Sequence, residues 1–221
     1  MVNSAAVLKR AHHPEQRQQR REAIVAAGRE LLLAHGYDAV GMLDIARAAG
    51  VAKGTLYLYF PTKEALFLEL LSSEYTSCFD VLDAALAAMT APAGAEAVAA
   101  AVTESLTAHP LFLKLVALLH VVLEHNISPT EARPFKMMLR ERTDTTGARL
   151  EGLLPQLAAG DGARLLLNVE ALAVGWRHLA EPAPVVAELL AEPQLALFRA
   201  DFAPAFHHSL AALIRGWQDE G

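Results

Sequence analysis

LDIARAAGVAKGTLYLYFPTKEALF, residues 43–67, reads as two short helices joined by a tight turn and continued into a third helix. Val40 and Ile45 flank Gly41 at the spacing of a hydrophobic staple, and Asp44 falls at the third helical position, near the positive end of the dipole. That spacing predicts a helix over about 42–49, closed by Gly50. A second staple-spaced pair, Val51 and Leu56, opens a helix over about 53–59. It has to stop before Pro61, because the residue preceding a proline is pushed out of the α region. Thr62 then caps a new helix that carries Glu64 in its first turn. Two short helices on either side of a Gly-Val-Ala turn make a helix-turn-helix, a motif whose second helix enters the major groove of DNA.

Working outward, Ile24, Gly28, Leu31, Leu32 and His35 recur at three- and four-residue steps and predict a preceding helix with one buried face. Pro14 suits the first turn of that helix, Gly36 its left-handed C-cap, and the first ten or so residues read as a loose basic arm. On the other side, Phe67, Leu71, Tyr75, Phe79, Leu82, Leu86 and Met89 step by four or three without a break. Some 27 residues at 1.5 Å each span about 40 Å, enough to bridge from one domain into another. Beyond Ala-Pro-Ala-Gly at 91–94, further helices are predicted over about 95–108, 110–126, 130–154, 161–180 and 195–218. A short element near 184–191 lies among them, and Pro and Gly signals supply the breaks.

Composition agrees with an all-α fold, since Ala and Leu dominate and β-branched and aromatic residues are few. A single cysteine, Cys78, excludes an intrachain disulfide and a multi-cysteine zinc site. The longest apolar stretch, Leu111–Leu123, carries Lys114 and His120 and falls short of the roughly 20 residues a membrane span needs. With no secretory pattern at the start, a soluble cytoplasmic protein is expected. The net charge of −6 is unevenly divided: residues 1–65 hold nine Lys/Arg against six Asp/Glu, so a head of +3 sits on a body of −9. A basic head on an acidic body is expected where one end meets phosphate.

The segment 43–67, with RREAIVAAGRELLLAHGYDAV before it, resembles the signature of the tetracycline-repressor (TetR) family. The likeness is tight over about 14–70 and loose over the helical layout behind. It implies a three-helix DNA-binding domain over 14–62 and a larger domain over 63–221 for ligand sensing and dimerisation. By the same resemblance, Gly41, Met42, Lys53, Gly54, Thr55, Tyr57, Tyr59 and Lys63 are the DNA-contacting positions. Their chemistry fits. Lys53 can reach base edges or phosphate, Gly54 lets backbone approach closely, and Thr55 offers a hydroxyl and a methyl. The phenols of Tyr57 and Tyr59 can donate to phosphates, and Lys63 supplies another cation. Tyr59 reads equally as packing, and Arg17, Arg20 and Arg21 read either as nonspecific DNA contacts or as a solvated helix face. The sequence departs from the family where Gly41 and Met42 replace the usual Ser/Thr and Ala52 replaces a common Ser cap. Leu43 stands where some relatives carry a base-reading cation.

The resemblance also implies a ligand cavity, for which Phe79, Phe112, Val116, His120, Leu123, Met137, Met138 and Trp176 are candidate walls, each also readable as plain core. His120 and Glu124 share a helix face. They could anchor a ligand or join two helices; with no third ligand in view, no metal is expected, and the adjacent pairs His12-His13 and His207-His208 diverge too far to chelate. Two stripes, Leu165, Val169, Leu172 and Trp176, then Phe202, Phe206, Leu210, Leu213 and Trp217, suit either a dimeric four-helix bundle or the monomer's own core. No catalytic arrangement of Ser/His/Asp, phosphate-binding glycine loop or metal triad is legible, so neither enzyme nor cofactor is expected. The implied function is a homodimeric repressor that binds palindromic double-stranded operator DNA and is released by a small apolar or aromatic ligand. An activator, a ligand-independent regulator or a helical interaction module without DNA binding are the alternatives.

Overall fold

A computed structural model describes residues 4–217, with side chains from Pro14 onward, as ten α-helices and two 3-10 turns, with no strand among the described residues. Ser4–His35 is α1, Met42–Ala48 α2, Lys53–Tyr59 α3, Lys63–Ala87 α4, Ala95–Thr107 α5 and Pro110–Leu119 α6. Pro129–Leu153 is α7, Asp161–Ala180 α8, Pro184–Leu189 α9 and Phe202–Gly216 α10; the 3-10 turns are Leu123–Asn126 and Pro193–Phe198. The all-α reading holds. Among the described residues no single helix is long and apolar enough to cross a membrane.

Three sequence expectations are corrected. Residues 4–10 are helical rather than a loose arm, and Pro14 lies inside α1 rather than in its first turn. Ala, Leu, Lys and Arg in this stretch favour helix enough to carry it through one missing backbone bond. The His12 and His13 side chains lie outside the described residues. Second, the helix expected over 110–126 breaks after Leu119, which lets the following 3-10 turn bury Leu123 completely. Third, the last helix begins at Phe202, not near 195, because the guanidinium of Arg199 turns back to the carbonyls of Leu190, Ala191 and Glu192 and holds 190–199 as a closed loop.

In the head, α1–α3 pack with the start of α4. Ile24, Leu32, Val40, Ile45, Leu56, Phe60, Leu66 and Phe67 are buried there, whereas His35, expected on the buried face, is exposed. Gly36 and Gly50 take left-handed φ of 78° and 66°, as the two turns require. α1 crosses α4 so closely that a Cβ on Gly28 would come within 2.7 Å of Leu66. Neither α2 nor α3 has a side-chain cap bond at Gly41 or Ala52, so tertiary packing holds these seven-residue helices. Thr62 does cap α4, its hydroxyl accepting from Ala65 N at 3.0 Å.

α4 is the spine. Its buried face, from Ala65 to Leu86, joins one apolar cluster that runs without interruption from the head into the body. There α5–α8 and α10 close around it. α7 and α8 meet backbone to backbone: a Cβ on Gly162 would lie 2.0 Å from the Gly147 carbonyl oxygen, and one on Gly147 would lie 2.7 Å from Ala163 N. α9 and the second 3-10 turn bury no residue at all.

Candidate functional site

Burial of Leu56 and Phe60 turns the opposite side of α3 to solvent. Lys53 and Gly54 are exposed, Tyr57 is 43% exposed, and Leu58 stands out at 79%. The Lys53 ammonium lies 5.9 Å from the Tyr57 ring centroid, so the cation and the phenol share one face. No atom comes within 4 Å of a Cβ built on Gly54, which leaves that backbone open to an outside surface. Thr55 is half-buried beside them, and Gly41 and Met42 are half-buried at the start of α2, where Gly41 N donates to Asp44 Oδ2 at 3.2 Å. Tyr59 is also half-buried, with Arg17 5.9 Å from its ring centroid.

The start of α4 grips the loop between α1 and α2. Lys63 Nζ donates to the carbonyls of Tyr37 at 2.8 Å and Val40 at 3.0 Å and lies 3.8 Å from the Tyr37 ring centroid. Tyr37 Oη donates to Glu64 Oε1 at 2.8 Å; burial, and then Glu64, push this phenol well above its ordinary pKa, so it remains a neutral donor. One turn further along, Arg21 pairs with Glu69, donates to the Tyr59 carbonyl at 3.2 Å and lies 4.4 Å from the Phe60 ring centroid. These contacts make the head follow α4.

Farther down the same helix, α4, α5, α6, α7 and α8 line a small cavity of about 60 Å³. Phe79, Phe112 and Val116 are in its wall, with Tyr75, Val102 and Leu166. Cys78 is there too, its thiol directed at the Ser105 carbonyl at 3.7 Å and pushed up to about 12 by burial, which leaves it unreactive near neutral pH. Thr143, Leu139, Leu167 and Glu170 line both this cavity and an outer groove between α7 and α8, and so form its mouth. His120 stands in the groove. Its Nδ1 meets Glu124 Oε2 at 3.0 Å and its Nε2 meets Glu170 Oε1 at 3.1 Å, while Lys136 reaches Glu124 at 2.5 Å. No group of three metal-ligating side chains occurs among the described residues.

Known proteins match both halves. Residues 24–70 match the model described as bacterial regulatory proteins, tetR family. Residues 72–221, well over half of the chain, match the tetracyclin repressor-like C-terminal domain. The chain belongs to the TetR family of bacterial transcriptional regulators. The HTH-type transcriptional repressor KstR of Mycolicibacterium smegmatis is 37% identical over 75 residues, 34% of this chain and 37% of KstR. The chain thus matches about a third of that curated relative's length. A TetR/AcrR-family regulator from Thermobifida fusca shares the fold, with a TM-score of 0.58 at 19% identity over 90% of this chain and 99% of that one. The multidrug binding protein EbrR, solved with imidazole, gives 0.57 at 19% identity over 91% and 98%.

Within this TetR-family frame several expected positions move. Met137 is 57% exposed on α7, and Leu123 and Met138 pack in the core away from the cavity wall. Trp176 also leaves the cavity, since its Nε1 donates to Ser209 Oγ at 3.1 Å and ties α8 to α10. In the two stripes read for a dimer, Leu165, Phe206 and Leu210 are buried inside their own chain and Val169 lines the cavity. Trp217 Nε1 donates to Asp161 Oδ2 at 3.1 Å, again within the chain. Leu172, Phe202 and Leu213 stay half-buried. An apolar stripe signals burial without saying against what, and here much of it is buried within the chain, where α8 packs on α7 and α10 and α10 packs on α5. Arg21 is held by Glu69 and the Tyr59 carbonyl and so is not a simple solvated face.

Sequence reasoning passed over Leu58 and Arg47, both exposed on the helix-turn-helix, and over Tyr75 and Glu170 in the cavity. Signals existed for two of them. Once Leu56 and Phe60 are assigned to the core, helical spacing puts Leu58 outside. Glu170 is a lone carboxylate inside the apolar run LLLNVEALAV, an expensive position unless it has work to do.

Proposed function

We propose that the chain is a homodimeric repressor whose α3 reads a palindromic operator and which a small, largely apolar ligand releases. The observation that carries this reading is a helix-turn-helix with an open, cation- and phenol-bearing face, clasped to the helix that walls an internal cavity. Lys53, Gly54, Thr55 and Tyr57 form the DNA face, with Gly41, Met42 and Tyr59 at its edge. Lys63 spends two of its three donors on the loop carbonyls and keeps one for a phosphate. The head at 14–62 and the body at 63–221 act as two units joined by α4, in the cytoplasm. A ligand between α4 and α6–α8 favours one setting of α4, and the clasp at Lys63, Glu64 and Glu69 passes that setting to α3. Release then requires that the ligand bind the DNA-incompetent setting more tightly. The imidazole held by EbrR, a neighbour in fold, supports reading the cavity as a ligand site.

Dimerisation is assigned to the faces that the monomer leaves open. On α8 these include Leu167 and Leu179, on α10 the half-buried Phe202 and Leu213, and between the two helices in sequence Val185 of α9 and Leu197 and Phe198 of the second 3-10 turn. Leu197 is 88% exposed. Two copies joined here would present two α3 helices to successive major grooves, as a palindrome requires.

The test is a fluorescence-anisotropy titration on a palindromic site from the chain's own promoter. Two copies should bind per site, weakening by several orders of magnitude in Kd between 50 and 200 mM salt (roughly 10³-fold or more for six phosphate contacts). Lys53→Ala with Tyr57→Ala should cost at least about tenfold more while the circular dichroism spectrum is unchanged. Undiminished binding by that variant would sink the assignment of α3.

A further inference from the structure

The cavity is apolar along most of its wall and polar at one end. Tyr75 enters from α4 and is 4% exposed. Its ring meets Phe112 edge-on, with centroids 4.7 Å apart at 83°, packs against Phe135 at 5.8 Å and stacks on Phe79 at 6.2 Å. Three aromatic neighbours fix where the phenol points. Its hydroxyl makes no hydrogen bond within 3.5 Å, although Glu170 of α8 lies in the same wall and close enough to act on it. Burial, and then the charge of Glu170, push the phenol well above its ordinary pKa, so it is an O–H donor at any physiological pH. A buried donor without an acceptor is costly, and native proteins keep one where an absent group completes it.

Among the other polar groups of the wall, Thr143 stands at the mouth, and Ser105 and Cys78 are already engaged. Ser105 Oγ donates to the Ala101 carbonyl at 2.8 Å, and the Cys78 thiol faces the Ser105 carbonyl. Glu170 is held by His120 on one oxygen, and the two carboxylates of this corner, Glu170 and Glu124, face the His120 imidazole and the Lys136 ammonium. Glu124 foremost, with Glu170, raises the pKa of His120, so the imidazole favours its charged form and the corner carries little net charge. It therefore offers one donor, Tyr75 Oη, and one acceptor, the Glu170 carboxylate, at the end of an aromatic slot.

We propose that this cavity binds a neutral hydroxyl compound with a compact aromatic or apolar body, a phenol or an alcohol. Its oxygen accepts from Tyr75 Oη while its own proton is donated to Glu170. The inference rests on reading the cavity as the effector site and names the chemistry that site selects. A carboxylate in the same place would bring an unpaired charge into an apolar cavity whose cations are already paired, and would have no proton for Glu170. A quaternary ammonium would have no oxygen for Tyr75. A hydroxyl satisfies both groups at once, and sites built in this way discriminate strongly against analogues that lack the hydroxyl.

Four single-ring probes test this by isothermal titration of the full chain without DNA: benzene, phenol, anisole and benzoic acid. The expected order places phenol first, about tenfold or more tighter than benzene and anisole, with the acid weakest. In Tyr75→Phe the ring packing is kept and the orphaned hydroxyl removed, so the melting temperature should hold or rise. In that variant phenol should lose about tenfold while benzene is unchanged. In Glu170→Gln the preference for phenol over anisole should shrink. Equal binding of phenol and benzene, or an acid that binds as tightly as phenol, overturns the hydroxyl chemistry and leaves the cavity as a site for another ligand. Failure of all four to bind overturns the effector site itself, and this proposal with it.

Discussion

Gly54 and Gly162 each sit second in a helix, α3 in the head and α8 in the body, and their surroundings are opposite. Nothing lies within 4 Å of a Cβ added to Gly54, whereas one added to Gly162 would strike the Gly147 carbonyl oxygen at 2.0 Å. The head leaves its decisive helix open because its partner lies outside the chain. The body closes its helices on one another to the point of backbone contact and keeps its open space inside. One glycine is thus read as access and the other as packing. Separate measurements can tell them apart.

The largest effect is expected at the closed glycine. Gly162→Ala must push backbone from backbone, and about 3 kcal/mol of stability or more should be lost in urea unfolding. Gly54→Ala should do the reverse. Alanine in a helix gains about 0.5–1 kcal/mol over glycine, so the protein should melt higher while operator affinity falls. A Gly54→Ala variant with undiminished affinity would remove the close-approach role. Next in size is the joint between the regions. Lys63→Met leaves the Tyr37 and Val40 carbonyls without their shared cation and should cost about 1.5 kcal/mol, with weaker operator binding following from a loosened head. Leu197→Asp with Phe198→Asp should turn the dimer into a monomer in sedimentation velocity without lowering monomer stability, since neither side chain is buried.

The smallest effect is in pH. His120 has its folded pKa raised, chiefly by Glu124, so protons bind the folded state more tightly. The stabilisation is fully present below the unfolded value near 6.5 and is lost as pH rises through the higher folded value. The ring is more than half exposed, and screening holds the gain to about 0.5 kcal/mol. His120→Gln should flatten the stability profile across that interval.

The same contrast decides what is legible in the sequence alone. In the head, Gly36, Gly50, Pro61 and Thr62 punctuate a short segment so tightly that helix ends, turn and exposed face follow from spacing, and the departures at Gly41 and Ala52 are visible as missing caps. In the body, α4 and α6 are buried on more than one side. Leu165 and Phe206 look no different from Phe79 and Phe112 in sequence, yet the first pair is buried in the core and the second faces the cavity. Periodicity assigns a residue to an interior; it does not say which interior, because that depends on helix rotations set by contacts such as Gly147 on Gly162. Polar residues in apolar runs carry a signal that periodicity alone passes over. Glu170, and Tyr75 with its hydroxyl, mark the polar end of the cavity more sharply than any stripe.

Head and body meet in α4, and the account stands on the claim that a change of cavity filling is felt at α3. The direct test fills the cavity covalently, with Val116→Phe, and measures operator anisotropy with the full chain. A variant that keeps its circular dichroism spectrum and its dimer, yet binds the operator at least about tenfold more weakly, is the predicted result. A folded, dimeric Val116→Phe protein that binds the operator as tightly as the unaltered chain would contradict it.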